Sequence, residues 1–368
     1  MGADAIELTR REALALRLAG HNLATRLAPG SAAAAAVVGL QDTPPHAASI
    51  ALAARVEDAS PPELGSLVIV PSLRGAPMAV APEDLAIFTR ALDPPDEQAA
   101  RALLLTAVKT LDGMSALEAL DRVSAAEADA LAWGPLDRDA FHEALRQRLP
   151  ATLLPFCRGC QSRHVHPSLW RATGVRGVLS IAGRDRRTAV FASPPPASAL
   201  DDPGAELARR FLRAYGPATP ALFAGWAGIH RSHAEALWAR AGELAPVELE
   251  GERRWLPAQD LSAIGDAASG VRLLAGYDPY LAQRDRELLV QDSLLRKRIW
   301  RAIGNPGVVL VEGALAGLWR ATKRGKRLVV TVEELDPAVC AAGDELAAEA
   351  KLLAPWRGAE RAEVVWAG

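Results

Sequence analysis

Apolar residues recur at helical spacing from Leu8 to Leu27, with Thr9 at the head and Glu12 three residues on, a capping-box arrangement. Pro29-Gly30 should stop that helix, and Ser31 heads a short apolar one reaching Leu40. A polar hinge follows, Gln41-Asp42-Thr43-Pro44-Pro45, and Pro44–Val56 has a third helical pattern. Thr43 as N-cap with Pro44 in the first helical turn accounts for the prolines structurally. "SLVIVPSLRGAPMAVAP" then gives two β-rich pieces around Arg74-Gly75, a predicted hairpin. Three helices and a hairpin are the winged-helix plan.

The plan repeats. Asp96–Thr110 has a helical pattern, "SALEALDRVSAAEADALA" and "DRDAFHEALRQRL" supply two more helices with Ser and Asp caps, and "GVLSIAGRDRRTAVFASPP" alternates like two strands joined at Gly183-Arg184-Asp185. A third copy has helical patterns over Glu206–Gly216, Thr219–Ile229 and His230–Glu243, followed by a wing turning at Glu250-Gly251. Near the C-terminal end, alternating segments turn at Glu312-Gly313 and Arg324-Gly325; with a helical Asp336–Leu353 and the strand-like "AEVVWAG" they predict a small β-barrel. Proline-rich polar stretches at 92–98 and 192–204 mark boundaries. The expected architecture is α+β: winged-helix modules over residues 1–96, 97–198 and 199–262, then a β-rich unit over 263–368.

Composition narrows the setting. The net charge of −2 argues against a globally basic nucleic-acid binder, and three cysteines do not make a disulfide framework. With no membrane-length apolar run and no signal-peptide pattern, the expectation is a cytoplasmic protein without a membrane partner. Charge is unevenly placed, however. Arg296, Lys297, Arg298, Arg301, Arg320, Lys323, Arg324, Lys326 and Arg327 face only Glu312 between Leu295 and Val330, with Trp300 and Trp319 interleaved. Such a concentration fits a surface that contacts phosphates.

Other candidates are weaker. His230, Arg231 and His233 open the presumed recognition helix of the third module, where side chains reach groove edges or phosphates. Arg10, Arg11 and Arg17 read as the wet face of the first helix. "CRGCQSRHVH" (Cys157–His166) offers four donors of zinc-binding type. The spacing is too compressed for a standard finger, so the run is read as a basic turn whose Arg163, His164 and His166 face a phosphate or pack locally, and no metal site is predicted. In the hinge, Asp42 can supplement the cap, whereas Gln41 has no capping duty.

"VVGLQDTPPHAASIALAARV", "CRGCQSRHVHPSLWR", "YDPYLAQRDRELL" and "NPGVVLVEGALAGLWR" together resemble the winged-helix DNA glycosylases of the alkylpurine and interstrand-crosslink repair type. The resemblance spans essentially the whole chain in the expected order. It implies tandem winged helices around a basic channel, double-stranded DNA as partner, no cofactor, no obligate protein partner and a monomeric chain. It also implies a catalytic Gln-x-Gln or Gln-x-Asp element, which maps onto Gln41-Asp42-Thr43, with Arg74 in the first wing. Arg163, His164, His166, His230, Arg231, Arg296, Arg298, Arg320, Lys323, Arg324, Lys326 and Arg327 are then the expected DNA contacts. Thr43 stands where relatives have the second polar residue, and Met78 where many have histidine. Those departures give the alternative: a non-catalytic DNA-binding protein, a regulator or damage sensor, on the same scaffold.

Overall fold

The computed structural model describes residues 6–58, 64–185, 188–263 and 270–367. They form a mixed α+β fold divided into two compact units. The first gathers residues up to 66, 209–222 and 242 onward; the second holds 67–208 and 223–241.

In the first unit the capping box forms as the sequence predicts: Thr9 accepts from the Glu12 N–H while the Glu12 side chain reaches back to Thr9. The helix runs Arg10–Gly20 and stops well short of Leu27. At Gly20 the backbone of Arg213 passes so close that a Cβ would lie 2.1 Å from its carbonyl oxygen, and Asn22 takes the left-handed conformation. The expected helix to Leu40 shrinks to Ala32–Ala35, and the third is Ala47–Ala53. Pro44 does not begin that third helix: the Thr43–Pro44 bond is cis, and His46, at φ 72°, is its N-cap residue. Ile6–Leu8, to which the pattern assigned no strand, pairs parallel with Leu244–Leu249, itself antiparallel to Glu252–Pro257. The predicted turn at Glu250-Gly251 forms with both residues at positive φ.

The expected C-terminal barrel is an open sheet instead. Its five strands lie in the order Val271–Leu274, Gly307–Val311, Ala314–Arg324, Arg327–Glu334 and Arg361–Trp366, and among the described residues no sheet closes on itself. The strand Arg361–Trp366 joins parallel to Arg327–Glu334, which leaves the first and last strands as edges rather than partners. Leu346, Ala350 and Leu353 of the helix Gly343–Leu353, with Ile50 and Ala53 of the hinge helix, cover one face of the sheet through Val309, Val330 and Val332.

In the second unit the helices Glu97–Leu104, Ala116–Leu131 and Arg138–Arg148 start at Asp96, Ser115 and Asp137, whose side chains all accept N-terminal N–H groups. Leu120, Phe141 and Leu145 form a core with Leu179 and with Phe191 of the hairpin that follows it. That hairpin, Ser180–Asp185 with Thr188–Ala192, pairs through Gly183 and Asp185, so those residues extend strands where the pattern had placed the turn. The hairpin Val68–Pro71 with Pro77–Val80 joins the same sheet through Ile69 and Ile181, merging two expected wings. Of the third copy's helices, Pro203–Tyr215, Pro220–Ala227 and Arg231–Trp238 are all present.

Candidate active site and nucleic-acid interface

The hinge is extended. Leu40 and Asp42 are buried, while Gln41 and Thr43 between and after them are half-exposed. In an extended chain alternate side chains share a side, so Gln41 and Thr43 face outward together and Asp42 turns in. Asp42 is 5 % exposed, and its carboxylate accepts the N–H of Ala48 at 3.3 Å, in the first turn of the hinge helix. Thr43 is therefore not the cap, and Asp42 serves the helix start without being adjacent to it.

Anchors grip this segment at both ends. Arg210 donates to the carbonyl of Val37 at 3.2 Å. Arg55, fully buried, closes on Asp278 with two bonds of 2.8 and 2.7 Å and donates back to the Ala51 carbonyl of the hinge helix, which ends two residues before it. Asp278 lies in "YDPYLAQRDRELL", and the rest of that motif works alike. Arg17 donates to Gln283 at 2.6 Å and to both Asp285 oxygens at 2.9 and 2.8 Å, and Arg254 also reaches Asp285. Arg17 is thus a core residue, not part of the helix's wet face. His21 lies edge-on between Tyr215 and Tyr280; burial, with Arg55 and Arg17 nearby, holds its pKa well below the ordinary histidine range.

Arg74 sits between its two strands at φ 57°, and its guanidinium donates to the Trp226 carbonyl within the second unit. Met78 is buried in that hairpin.

Among the described residues, the basic C-terminal surface divides into cations held in ion pairs and cations that are not. A cavity of about 730 Å³ in the first unit is lined by Lys297, Arg298, Arg301 and Arg320, opposed by Glu333. Arg298 pairs with Glu333, Lys326 with Glu360 at 2.7 Å, and Arg327 with Glu363 at 2.9 Å. Arg296 donates to the carbonyls of Val290 and Gln291, and Arg320 to that of Gly304. Lys297, Arg301, Lys323 and Arg324 have no ion pair among the described residues. Lys297 and Arg301, which contributed to the sequence's charge count without being singled out, are thus among its least committed cations. Their four-residue spacing across a helix end was the available signal. The indole N–H groups of half-buried Trp300 and buried Trp319 donate to the carbonyls of Leu281 and Leu274.

At the presumed recognition helix, His230 is the N-cap, accepting from Ser232, and Arg231 pairs with Glu235 at 2.7 Å. His233 is buried, which lowers its pKa. In the Cys157–His166 run, Arg163 is exposed and donates to the Leu154 carbonyl, while His166 caps the helix Pro167–Ala172 by accepting from Ser168. Cys157, Cys160 and His164 converge, their potential ligand atoms all within 4.8 Å of one another, and His166 is not among them. The Cys157 thiol is held down to about 7, first by the N–H of Cys160 and then by the neighbouring His164 ring.

The family model described as DNA glycosylase AlkZ-like matches residues 34–356, which includes the hinge, its anchors and the basic cavity. The chain belongs to the AlkZ-like DNA glycosylase family. An interstrand DNA cross-link repair glycosylase of Streptomyces sahachiroi is 31% identical over 143 residues, which span 36% of this chain and 37% of that relative. The solved structure of Streptomyces sahachiroi DNA glycosylase AlkZ superposes with a TM-score of 0.75 over 98% of this chain and 100% of that one, at 21% identity. At that identity the superposition establishes a common fold. Among the described residues no helix is long and apolar enough to cross a membrane.

Proposed function

We propose that this chain is a monofunctional DNA glycosylase that hydrolyses the N-glycosidic bond of alkylated or crosslinked purines in double-stranded DNA. Gln41 carries the reading: the one hinge residue with no structural explanation in the sequence faces outward on a segment fastened by Asp42, Arg55 and Arg210. Preorganised polar groups at the position of developing charge are worth most when their support cannot move.

An N7-alkylated purine already carries positive charge and leaves readily. As the bond from C1′ to the base breaks, its electron pair goes to the purine and the sugar takes on oxocarbenium character. The Gln41 amide oxygen steadies that cation and orients a water whose oxygen bonds to C1′, the released proton passing to solvent. Thr43 shares the outward side and supplies a hydroxyl to the same water. Asp42 acts by holding the hinge. The step uses no metal or organic cofactor.

The DNA backbone would lie on the basic cavity and the Lys323–Arg327 turn, with Arg74, Arg163, His164, His166, His230, Arg231, Arg296, Arg298 and Arg320 as further contacts or their supports. The frame would be tandem winged-helix modules over 1–96, 97–198 and 199–262 in a monomeric protein. Thr43 and the buried Met78 favour a second reading, a DNA-binding protein that keeps the scaffold without turnover.

The decisive assay is release of N7-methylguanine from a labelled duplex, with a crosslinked duplex alongside. The glycosylase reading expects release by the wild type that collapses in Gln41→Ala at unchanged duplex affinity. Tight binding with no release from either duplex would establish the second reading.

A further inference from the structure

We propose that Cys157, Cys160 and His164 hold a zinc ion that clips the hairpin between the helices Arg138–Arg148 and Pro167–Ala172. The strands Phe156–Cys157 and Ser162–Arg163 pair in register, Cys157 opposite Ser162, and residues 158–161 make the turn, with Gln161 at φ 52°. This folds a Cys-x2-Cys spacing back on itself. The N–H groups of Cys160 and Gly159 lie beside the Cys157 sulfur and lower its thiol pKa, the environment that a thiolate ligand uses.

His164 supplies an independent observation. Its Nδ1 is 2.8 Å from the Val165 carbonyl, which fixes a proton there and leaves Nε2 with the lone pair. That Nε2 is buried and has no hydrogen-bond partner. A buried, unpartnered nitrogen beside two cysteines is the donor that a metal would satisfy. The ring is steadied by His142, whose centroid lies 5.5 Å away, and His142 is itself packed against Phe141 and Trp170.

Two thiolates and an imidazole are the donor set of a zinc site. A tetrahedron with Zn–S bonds of about 2.3 Å puts neighbouring ligand atoms roughly 3.5–3.8 Å apart, so the cluster needs to tighten by only about 1 Å. Cys160 is exposed, so a water oxygen can complete the fourth position.

The test is the metal content of the full-length protein purified under reducing conditions. The expected result is close to one zinc per chain, falling near zero in Cys157→Ser/Cys160→Ser and remaining near one in Cys340→Ser. Replacing zinc by cobalt in the wild type should give the intense visible bands of a tetrahedral thiolate centre, a readout that needs no variant to fold. Wild-type protein that carries no zinc and develops no such bands with added cobalt overturns the proposal. So does a mass lighter by the two hydrogens of a Cys157–Cys160 disulfide that persists under the reducing conditions.

Discussion

Arg55 and Asp278, 223 residues apart in the chain, close a doubly hydrogen-bonded pair in which neither residue is more than 1 % exposed. The pair ties the end of the hinge helix to the motif Tyr277–Leu289. Removing one partner of a buried pair strands the other charge and costs about 3–5 kcal/mol. Arg55→Met and Asp278→Asn should each lower the urea midpoint of unfolding well beyond a surface change such as Arg101→Met. The double variant Arg55→Met/Asp278→Leu should recover part of that loss, as measured by denaturation monitored by circular dichroism.

The hinge separates support from chemistry. Asp42→Ala removes a helix-capping acceptor and should cost about 1 kcal/mol of stability. Thr43→Val keeps shape and stability but deletes the hydroxyl on the outward side, and should slow single-turnover excision about tenfold, or 1.4 kcal/mol of barrier, with duplex affinity unchanged. Equal excision rates for Thr43→Val and wild type would remove Thr43 from the mechanism.

Lys297 and Arg301 line the basic cavity without ion pairs among the described residues. If each neutralises one phosphate, Lys297→Gln/Arg301→Gln should lower the slope of log Kd against log salt by about 1.8. Glu360→Gln, which frees Lys326 from its pair, should leave that slope unchanged or steepen it. Fluorescence anisotropy across a salt series measures both.

Glu127 is fully buried, and that desolvation raises its pKa well above the ordinary carboxylate value. Its carboxyl meets the Thr173 hydroxyl, which also lies 2.6 Å from the Trp170 carbonyl. One hydroxyl hydrogen cannot serve both contacts, so the carboxyl supplies the second. An acid whose pKa rises on folding stabilises fully below its unfolded value, and that contribution is lost as pH rises through the folded value. Glu127→Gln should therefore flatten the decline of thermal stability above about pH 4.5 and raise the melting temperature at neutral pH.

His21 works in the other direction. A histidine whose pKa falls on folding contributes stability above its unfolded value of about 6.5, and that contribution is lost as pH falls toward the folded value. Melting temperatures measured from pH 7.5 downward should drop more steeply for the wild type than for His21→Gln. Parallel profiles would mean that burial of this ring is not what the acid limb reports.

Much of the fold was legible in the chain. Caps at Thr9, Asp96, Ser115 and Asp137 mark helix starts because they satisfy N–H groups within three residues, a local requirement that a sequence states directly. The Glu250-Gly251 turn is local in the same sense. The hinge also announced itself, since Gln41 had no capping duty, and the basic stretch after Leu295 stood out by charge alone.

What the sequence determined by itself, then, was what depends on near neighbours: element starts, turns, charge density and the motifs of a glycosylase family. Tertiary structure decided where each polar side chain went. Periodicity gave Arg17 to solvent because an arginine on an amphipathic helix is ordinarily wet; only Asp285 and Gln283, more than 260 residues away, make its burial tolerable. Alternation left Asp42 undecided until the extended hinge turned it toward Ala48. The expected barrel opened because its last strand joined one edge, a pairing with no local signature. The cysteines and His164 met because a four-residue turn brought their donors together, whereas His166, two residues on, was drawn to a helix cap. Local hydrogen bonds are written in local sequence; desolvated charges and shared donors depend on partners that only the folded chain brings within reach.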